Sequence, residues 1–155
     1  MDDRNEIEDV LIRYATGIDS RDWPLFKSCF VEDCELDYGF IGCWSNRESV
    51  TKYMIRAHSG PSLHRISNIS VEVNGEKATA RSYVDAIVLV PGGVGNAQAI
   101  GYYDDKLVRT QQGWQIEYRS FTHIRIKLLG LLSIIPSRLV QYLTAMASKK
   151  LNASA

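Results

Sequence analysis

The pattern of the chain changes at residues 63–75, Leu-His-Arg-Ile-Ser-Asn-Ile-Ser-Val-Glu-Val-Asn-Gly. Residues 69–73 alternate between apolar and polar up to Asn74-Gly75, which predicts a strand that ends in a tight hairpin. Three further strands are expected, over residues 78–90, about 97–110 and about 114–125, with turns at Pro91-Gly92-Gly93 and Gln111-Gln112-Gly113 between them. The second half of the chain therefore predicts an antiparallel meander.

The spacing just before this alternation predicts an irregular strand. Ile66 and Ile69 differ by three residues instead of two, which indicates a bulge or a late strand start near Ser67-Asn68. Such a bulge allows His64 to face the same side as residues that strict alternation places opposite. The orientation of His64 therefore depends on this irregularity.

Helical periodicity precedes the strands. Three helices are expected, over residues 7–18, about 23–30 and about 46–59, with short strands at 34–38 and 41–44. Asp22 stands before Trp23-Pro24, where it can cap the second helix. Ser45-Asn46-Arg47-Glu48 indicates a capping box at the start of the third. Helices followed by an antiparallel meander predict an α+β fold.

Length and composition favour one domain with a small, largely uncharged partner. The 155 residues, 45% of them apolar, suffice for one sizeable core. Eighteen Lys and Arg balance eighteen Asp and Glu, so no nucleic-acid groove or polybasic membrane patch is indicated. The three cysteines, Cys29, Cys34 and Cys43, form no CxxC pair, which predicts buried free thiols in a reducing compartment.

The chain is expected in the cytoplasm. Its first twenty residues carry acids throughout and lack the apolar stretch of a signal peptide. No apolar run approaches the ~18 residues that a membrane span needs, so no stable membrane insertion is expected.

Asp19 and His64 are the most informative polar residues. The predicted elements place Asp19 at the corner between the first two helices and His64 at the entrance of the first long strand. A carboxylate that holds one imidazole nitrogen leaves the other free to move protons, without a metal or cofactor. Because Asp22 is the better helix cap, Asp19 is freer for a pocket. A capping role for Asp19 and a structural role for His64 are the alternatives.

No metal or cofactor site is expected. The three histidines show no metal-ligand spacing, and residues 91–95 lack a phosphate-binding pattern. Residues 126–155 contain an apolar stretch and then a predicted helix after Pro136, with Leu139, Val140, Leu143 and Met146 on one side. This C-terminal apolar and helical extension predicts either a subunit contact or a lid over a pocket.

A set of motifs resembles the SnoaL-like, nuclear-transport-factor-2-like superfamily. The set consists of Tyr14-x4-Asp19-x2-Asp22-Trp23, a histidine at the start of the first long strand, the Asn-Gly hairpin and a last strand opening Gly113-Trp114-Gln115-Ile116. More narrowly, the chain resembles the scytalone dehydratase and bile-acid dehydratase branch. The resemblance covers residues 1–125, with residues 126–155 as an extension of the same domain. It implies a cone-like α+β barrel, in which three N-terminal helices pack on a strongly curved, mainly antiparallel sheet around a pocket.

The resemblance also implies a reaction. In these enzymes an aspartate from the end of the first helix orients a histidine, which abstracts a proton from a carbon beside a carbonyl or leaving group. Asp19 matches the aspartate, His64 the histidine, and Tyr14 a tyrosine of the bile-acid enzyme. An apolar residue near Val88 stands where scytalone dehydratase carries another histidine, which puts scytalone in doubt as the substrate.

A cofactor-independent, dehydratase-like lyase is therefore expected. An isomerase or cyclase with the same His-Asp pair is one alternative, and a noncatalytic ligand-binding or scaffolding module is another. A homodimer or homotrimer is expected, and the choice between them is open.

Aromatic side chains dominate the candidate pocket. Tyr14 is either a core residue or a hydroxyl donor to a carbonyl oxygen, and Asn68 either binds a substrate oxygen or serves the bulge. Which of Arg119, His123 and Arg125 faces the pocket is left open. The substrate-binding candidates are Tyr38, Tyr53, Asn68, Tyr83, Tyr102 and Arg119. Many aromatic rings and few charges favour a small apolar cyclic ketone or alcohol of steroid, terpenoid or polyketide type.

Overall fold

The computed structural model describes residues 2–89 and 95–130, together with residues 142, 145, 146 and 149. Within residues 2–89 and 95–130 the chain forms three α-helices, a short 3-10 turn at Gly39–Ile41 and six strands. The elements are α1 Asp3–Ser20, α2 Trp23–Ser28, β1 Phe30–Asp37, β2 Cys43–Trp44, α3 Arg47–Ala57, β3 Ser62–Asn74, β4 Lys77–Leu89, β5 Gly95–Thr110 and β6 Gly113–Gly130. The predicted α+β class and its three N-terminal helices are confirmed.

The six strands form one curved sheet in the order β2-β1-β6-β5-β4-β3. Neighbouring strands are antiparallel except β1 and β6, which run parallel. Register shifts interrupt the pairing of β3 with β4 and, at two places, the pairing of β5 with β6. Because bulges bend strands and increase their twist, these long strands curve, and the helices pack against the inner face of the sheet.

The predicted irregularity in β3 is confirmed as a bulge. Ser67 pairs with Tyr83, whereas the next paired residue is Ser70, and Asn68 between them has a left-handed φ of 48°. His64 is partly buried before the bulge, and Ile69 is partly buried after it. The bulge therefore brings even-numbered and odd-numbered positions of one strand to the same inner face.

Close packing fixes the corner between α1 and α2. A Cβ on Gly17 would lie 2.8 Å from the backbone nitrogen of Phe26, so no larger residue fits there without moving the two helices apart. Asp22 Oδ1 accepts a hydrogen bond from the backbone N–H of Leu25 at 2.9 Å, which confirms Asp22 as the cap of α2. Asp19, in the last turn of α1, is thereby left for other partners.

Some predicted boundaries differ from the structure. Asn46, not Ser45, caps α3, and it accepts a hydrogen bond from the backbone N–H of Ser49 at 2.8 Å. The second helix ends at Ser28 and not near Phe30, because Phe30 enters β1 and pairs with Ile116.

The end of the last strand and the exposure of one cysteine also differ from the prediction. β6 continues to Gly130, so residues 126–130 pair with β5 and do not begin the extension predicted over 126–155. Cys29 and Cys34 are buried as predicted, but Cys43 is exposed because it lies in the short strand β2. The turn predicted at Pro91-Gly92-Gly93 lies outside the described residues. So does most of the helix predicted after Pro136, apart from residues 142, 145, 146 and 149.

Candidate functional site

A cavity of about 250 Å³ lies between the helices and the inner face of the sheet. Its apolar wall consists largely of small aliphatic side chains from neighbouring strands, such as Val84 and Ala86 of β4 and Ala97 and Ala99 of β5. The polar groups of its lining, within the described part of the chain, are tyrosine hydroxyls and two histidine rings. The cavity therefore suits a ligand without net charge.

Asp19 and His64 meet at the wall of this cavity. The His64 ring nitrogen Nδ1 lies 2.7 Å from Asp19 Oδ1, and the backbone N–H of His64 donates to Asp19 Oδ2 at 2.7 Å. The Ser62 hydroxyl also donates to Asp19 Oδ1, at 2.9 Å. The side chain of His64 is only 5% exposed and that of Asp19 20%. Three donors from the start of β3 thus hold one carboxylate at the end of α1.

This contact determines which nitrogen of His64 carries a proton. A carboxylate only accepts hydrogen bonds, so Nδ1 carries the hydrogen and, in the neutral ring, Nε2 keeps a free lone pair. Burial alone would raise the pKa of Asp19, but the hydrogen bonds from His64 and Ser62 outweigh it and lower that pKa below its ordinary value. Asp19 is therefore an anion at neutral pH beside the imidazole.

Three tyrosine hydroxyls converge on the same cavity. The hydroxyl of Tyr14 lies 2.9 Å from that of Tyr38 and 3.5 Å from that of Tyr103. Burial raises the pKa of both Tyr38 and Tyr103 well above the ordinary value, so both remain neutral phenols that can donate hydrogen bonds. Tyr53 also lines the cavity, where its ring packs against Trp44.

Arg119 lies behind the tyrosines and does not line the cavity. It is fully buried, and its Nε and Nη2 donate to Asp105 at 2.6 and 2.9 Å. Its guanidinium carbon is 4.1 Å from the ring centroid of Tyr14 and 4.2 Å from that of Tyr103. The expectation that Arg119 contacts the substrate is corrected, because Asp105 pairs with two of its three guanidinium nitrogens and the two aromatic rings lie between it and the cavity.

Tyr83 and Tyr102 also lie away from the cavity. Tyr83 is 46% exposed and alternates with the buried Ser82 and Val84, so it stands on the outer face of the sheet, where it pairs with Tyr102. Arg81 covers the ring of Tyr102, 4.6 Å from its centroid. Their predicted position in the pocket is therefore wrong.

Asn68, His123 and Arg125 are not part of the cavity lining either. Asn68 is exposed at the bulge of β3, which favours its backbone role over contact with a substrate. The ring of His123 packs edge-on against Phe40, and Arg125 is exposed. Instead β6 contributes Phe121, Ile126 and Leu128 to the cavity lining. Odd-numbered and even-numbered residues both point inward because the pairing of β6 with β5 shifts register beside Ile124.

His58 is a cavity residue that was not predicted from the sequence. His58 follows α3 and lines the cavity, and its ring centroid lies 5.4 Å from that of His64. Burial, with His64 acting in the same direction, lowers the pKa of His58 to about 4. The sequence did indicate its inward position, because His58 stands four residues after Met54, in line with the apolar stripe of α3.

Metal-ligating side chains do not cluster in the described part of the chain. Among those residues, no group of three His, Cys, Asp or Glu side chains is placed to hold a metal ion. No helix within the same residues is long and apolar enough to cross a membrane.

The sequence matches a known domain family. Residues 1–120 match the SnoaL-like domain, and the chain belongs to that family. An uncharacterized protein of Mycobacterium tuberculosis is 30% identical over 118 residues, which are 74% of this chain and 80% of that protein. The resemblance noted from the motifs is thus confirmed.

Solved structures share the same architecture. A scytalone dehydratase-like protein of Novosphingobium aromaticivorans is 25% identical, with a TM-score of 0.73 over 79% of this chain and 85% of its own. A hexachlorocyclohexane dehydrochlorinase of the LinA type from Novosphingobium barchaimii is 18% identical, with a TM-score of 0.72 over 86% of this chain and 94% of its own. The second likeness concerns the fold alone.

Proposed function

We propose that this protein is a cofactor-independent, dehydratase-like lyase whose base is His64. The observation that carries the proposal is the 2.7 Å hydrogen bond between His64 Nδ1 and Asp19 at the cavity wall. Two of its structural neighbours are named as a dehydratase-like protein and a dehydrochlorinase, names that denote elimination reactions. A positioned base begins such an elimination by removing a proton from carbon.

The proposed reaction begins and ends at Nε2 of His64. Nε2 takes a proton from a carbon beside a carbonyl group, and the electrons of that C–H bond form an enolate. The carbon–oxygen bond of a neighbouring hydroxyl then breaks as the C=C bond forms, and the imidazolium returns its proton to the departing oxygen, which leaves as water. Asp19 stabilises the imidazolium between these steps and keeps the ring in place.

Tyr14 is the proposed hydrogen-bond donor to the carbonyl oxygen. Negative charge grows on that oxygen as the enolate forms, and a fixed phenol beside it lowers the energy of the transition state. The hydroxyls of Tyr38 and Tyr103 lie next to that of Tyr14, and Arg119 lies beneath two of the rings. This packing holds the phenols in one arrangement before a substrate enters.

The cavity volume narrows the substrate class. A cavity of ~150 Å³ is large enough for benzene, so the volume of about 250 Å³ suits one or two rings. A neutral monocyclic or bicyclic ketone or alcohol of terpenoid or polyketide type is therefore the proposed substrate.

The two alternatives differ from the lyase in the step after binding. An isomerase or cyclase would use the same first proton transfer, and product analysis distinguishes it. A noncatalytic module would bind a ligand and release it unchanged, since the fold alone does not assign chemistry. The cytoplasmic location and the homo-oligomeric state stay predictions.

A panel of one- and two-ring β-hydroxy ketones tests the proposal. Formation of the conjugated enone is followed by its ultraviolet absorbance with the wild type, His64→Ala and Asp19→Asn. Both substitutions should slow the reaction by about 10²–10⁴-fold, the usual contribution of a general base. Asp22→Asn is the matched control, because this nearby carboxylate caps α2 and should leave the rate unchanged.

Either of two results would contradict the lyase assignment. One is an unchanged rate in His64→Ala. The other is binding of panel members without any conversion by the wild type, which would favour the noncatalytic module.

A further inference from the structure

His58 is a buried polar group of the cavity wall that the proposed reaction does not use. It is 9% exposed, and its ring is a direct neighbour of the His64 ring, with centroids 5.4 Å apart and planes tilted by 41°. A substrate atom that reaches Nε2 of His64 therefore passes close to His58.

The hydrogen bonds of His58 define its tautomer. Its Nδ1 lies 3.3 Å from the backbone carbonyl oxygen of Met54, one helical turn earlier. A carbonyl oxygen only accepts, so Nδ1 carries the hydrogen and Nε2 keeps a lone pair. Among the described residues, none donates to this Nε2. The lowered pKa of His58, about 4, keeps the ring neutral near pH 7, so Nε2 accepts and does not donate.

The remaining polar groups of the cavity have the opposite character. Tyr38 and Tyr103 are neutral phenols, and with Tyr14 they form a cluster of hydroxyl donors. Such a cluster suits a carbonyl oxygen, whereas the two histidines offer ring lone pairs. The cavity thus has a donor-rich part and an acceptor-rich part, and a complementary ligand carries a carbonyl group and a hydroxyl group.

We propose that Nε2 of His58 accepts a hydrogen bond from a hydroxyl group of the substrate, and that the ligand class is accordingly a ring compound with a neutral hydroxyl donor. A halide or hydrocarbon of the same shape would cover this acceptor without pairing it, which disfavours its binding. The inference rests on the proposed function, because it takes the cavity as the substrate site. In the proposed reaction, His58 accepts the hydrogen bond of the departing hydroxyl. A lone pair on the hydroxyl oxygen then remains free to take the proton from His64.

Two probes of similar shape test this role. 2-Naphthol carries a hydroxyl donor, and 2-fluoronaphthalene replaces it with fluorine. Their dissociation constants are measured by titration calorimetry with the wild type, His58→Phe, His58→Gln and His64→Phe. The wild type should bind 2-naphthol about tenfold more tightly, as expected for one neutral hydrogen bond. That preference should vanish in His58→Phe and persist in His58→Gln, which retains an acceptor.

A second measurement uses only the folded wild type. The ring nitrogens of ¹⁵N-labelled histidine are followed by NMR as 2-naphthol is added. The signal of the unprotonated Nε2 of His58 should move with naphthol and stay in place with the fluorinated probe.

The outcomes separate this inference from the proposed function. A tenfold preference that survives in His58→Phe overturns the role of His58. A preference lost only in His64→Phe overturns it as well, but leaves His64 as the proposed base. Failure of the wild type to bind either probe overturns the cavity as the ligand site and both proposals with it.

Discussion

His58 should make the protein lose stability in mild acid. Burial, together with His64, lowers the pKa of His58 from 6.5 to about 4 in the folded protein. In the unfolded chain the ring binds a proton below about pH 6.5, whereas in the folded protein it stays neutral down to about pH 4. The unfolded state therefore binds more protons between these values, and the free energy of unfolding falls as the pH decreases through this window.

The size of the effect follows from the two pKa values. The difference between 6.5 and about 4, at about 1.4 kcal/mol per pH unit, corresponds to about 3 kcal/mol. Above pH 6.5 the ring is neutral in both states, so it adds no pH dependence there. Urea unfolding followed by circular dichroism gives the free energy of unfolding of the wild type and of His58→Gln at pH 7 and pH 4.5.

The comparison with His58→Gln isolates the histidine. The carboxylates titrate in both proteins, so their effects cancel in the difference between the two pH profiles. The wild type should lose more stability than the variant on acidification, by an amount that approaches 3 kcal/mol near pH 4. Parallel profiles would refute the reasoning, since they would mean that His58 takes up its proton equally in the folded and unfolded chain.

Four further variants have defined outcomes. Tyr14→Phe should lower the turnover of the β-hydroxy ketone panel by about 10²–10³-fold, and an unchanged rate would remove Tyr14 from the proposed chemistry. Because it also removes the buried hydrogen bond to Tyr38, it should cost about 1–3 kcal/mol in urea unfolding. Asp105→Asn should lower the free energy of unfolding in urea by about 3–5 kcal/mol, because it leaves Arg119 buried without its counter-ion. The double change Asp105→Leu with Arg119→Met should recover most of that loss. Equal losses in the two variants would contradict the buried ion pair. Gly17→Ala should destabilise by about 1–3 kcal/mol because its Cβ would meet the backbone of Phe26, and a variant as stable as the wild type would show that the helices can separate freely.

Local sequence patterns predicted two features that position the site, the cap of α2 and the bulge of β3. The preference of aspartate for a helix start before Trp23-Pro24 assigned the cap to Asp22, and the structure shows this cap. The three-residue step from Ile66 to Ile69 indicated the bulge that turns β3 inward on both sides of Asn68. Both features depend on neighbours within a few residues of the chain, which is why the sequence alone predicts them.

The register of β6 could not be predicted in the same way. The register of its pairing with β5 shifts twice along the strand. One shift lies between Lys106 and Leu107 of β5, and the other lies between Ile100 and Gly101. Each shift reverses which residues of β6 face the cavity, and no short motif in β6 marks its position. The orientation of Arg119, His123 and Arg125 was therefore open until the structure placed them.

The sequence contained a weak indication that Arg119 is buried, and it lies in the alternation of β5. Asp105 stands in phase with Tyr103 and Leu107, two buried residues of β5, and is itself 2% exposed. Alternation thus pointed Asp105 inward, but charged side chains are rarely buried unless they are paired. Its partner Arg119 comes from another strand, so only the fold reveals the pair.

Exchange of a carbon-bound proton with solvent tests the role of His64 most directly. 1-Tetralone, a two-ring ketone, is incubated in D₂O with the wild type, and deuterium at the carbon beside the carbonyl is measured by mass spectrometry. The wild type should accelerate this exchange over buffer, and His64→Gln should return it to the buffer rate while still binding the ketone. Exchange at the wild-type rate in His64→Gln would show that His64 is not the base.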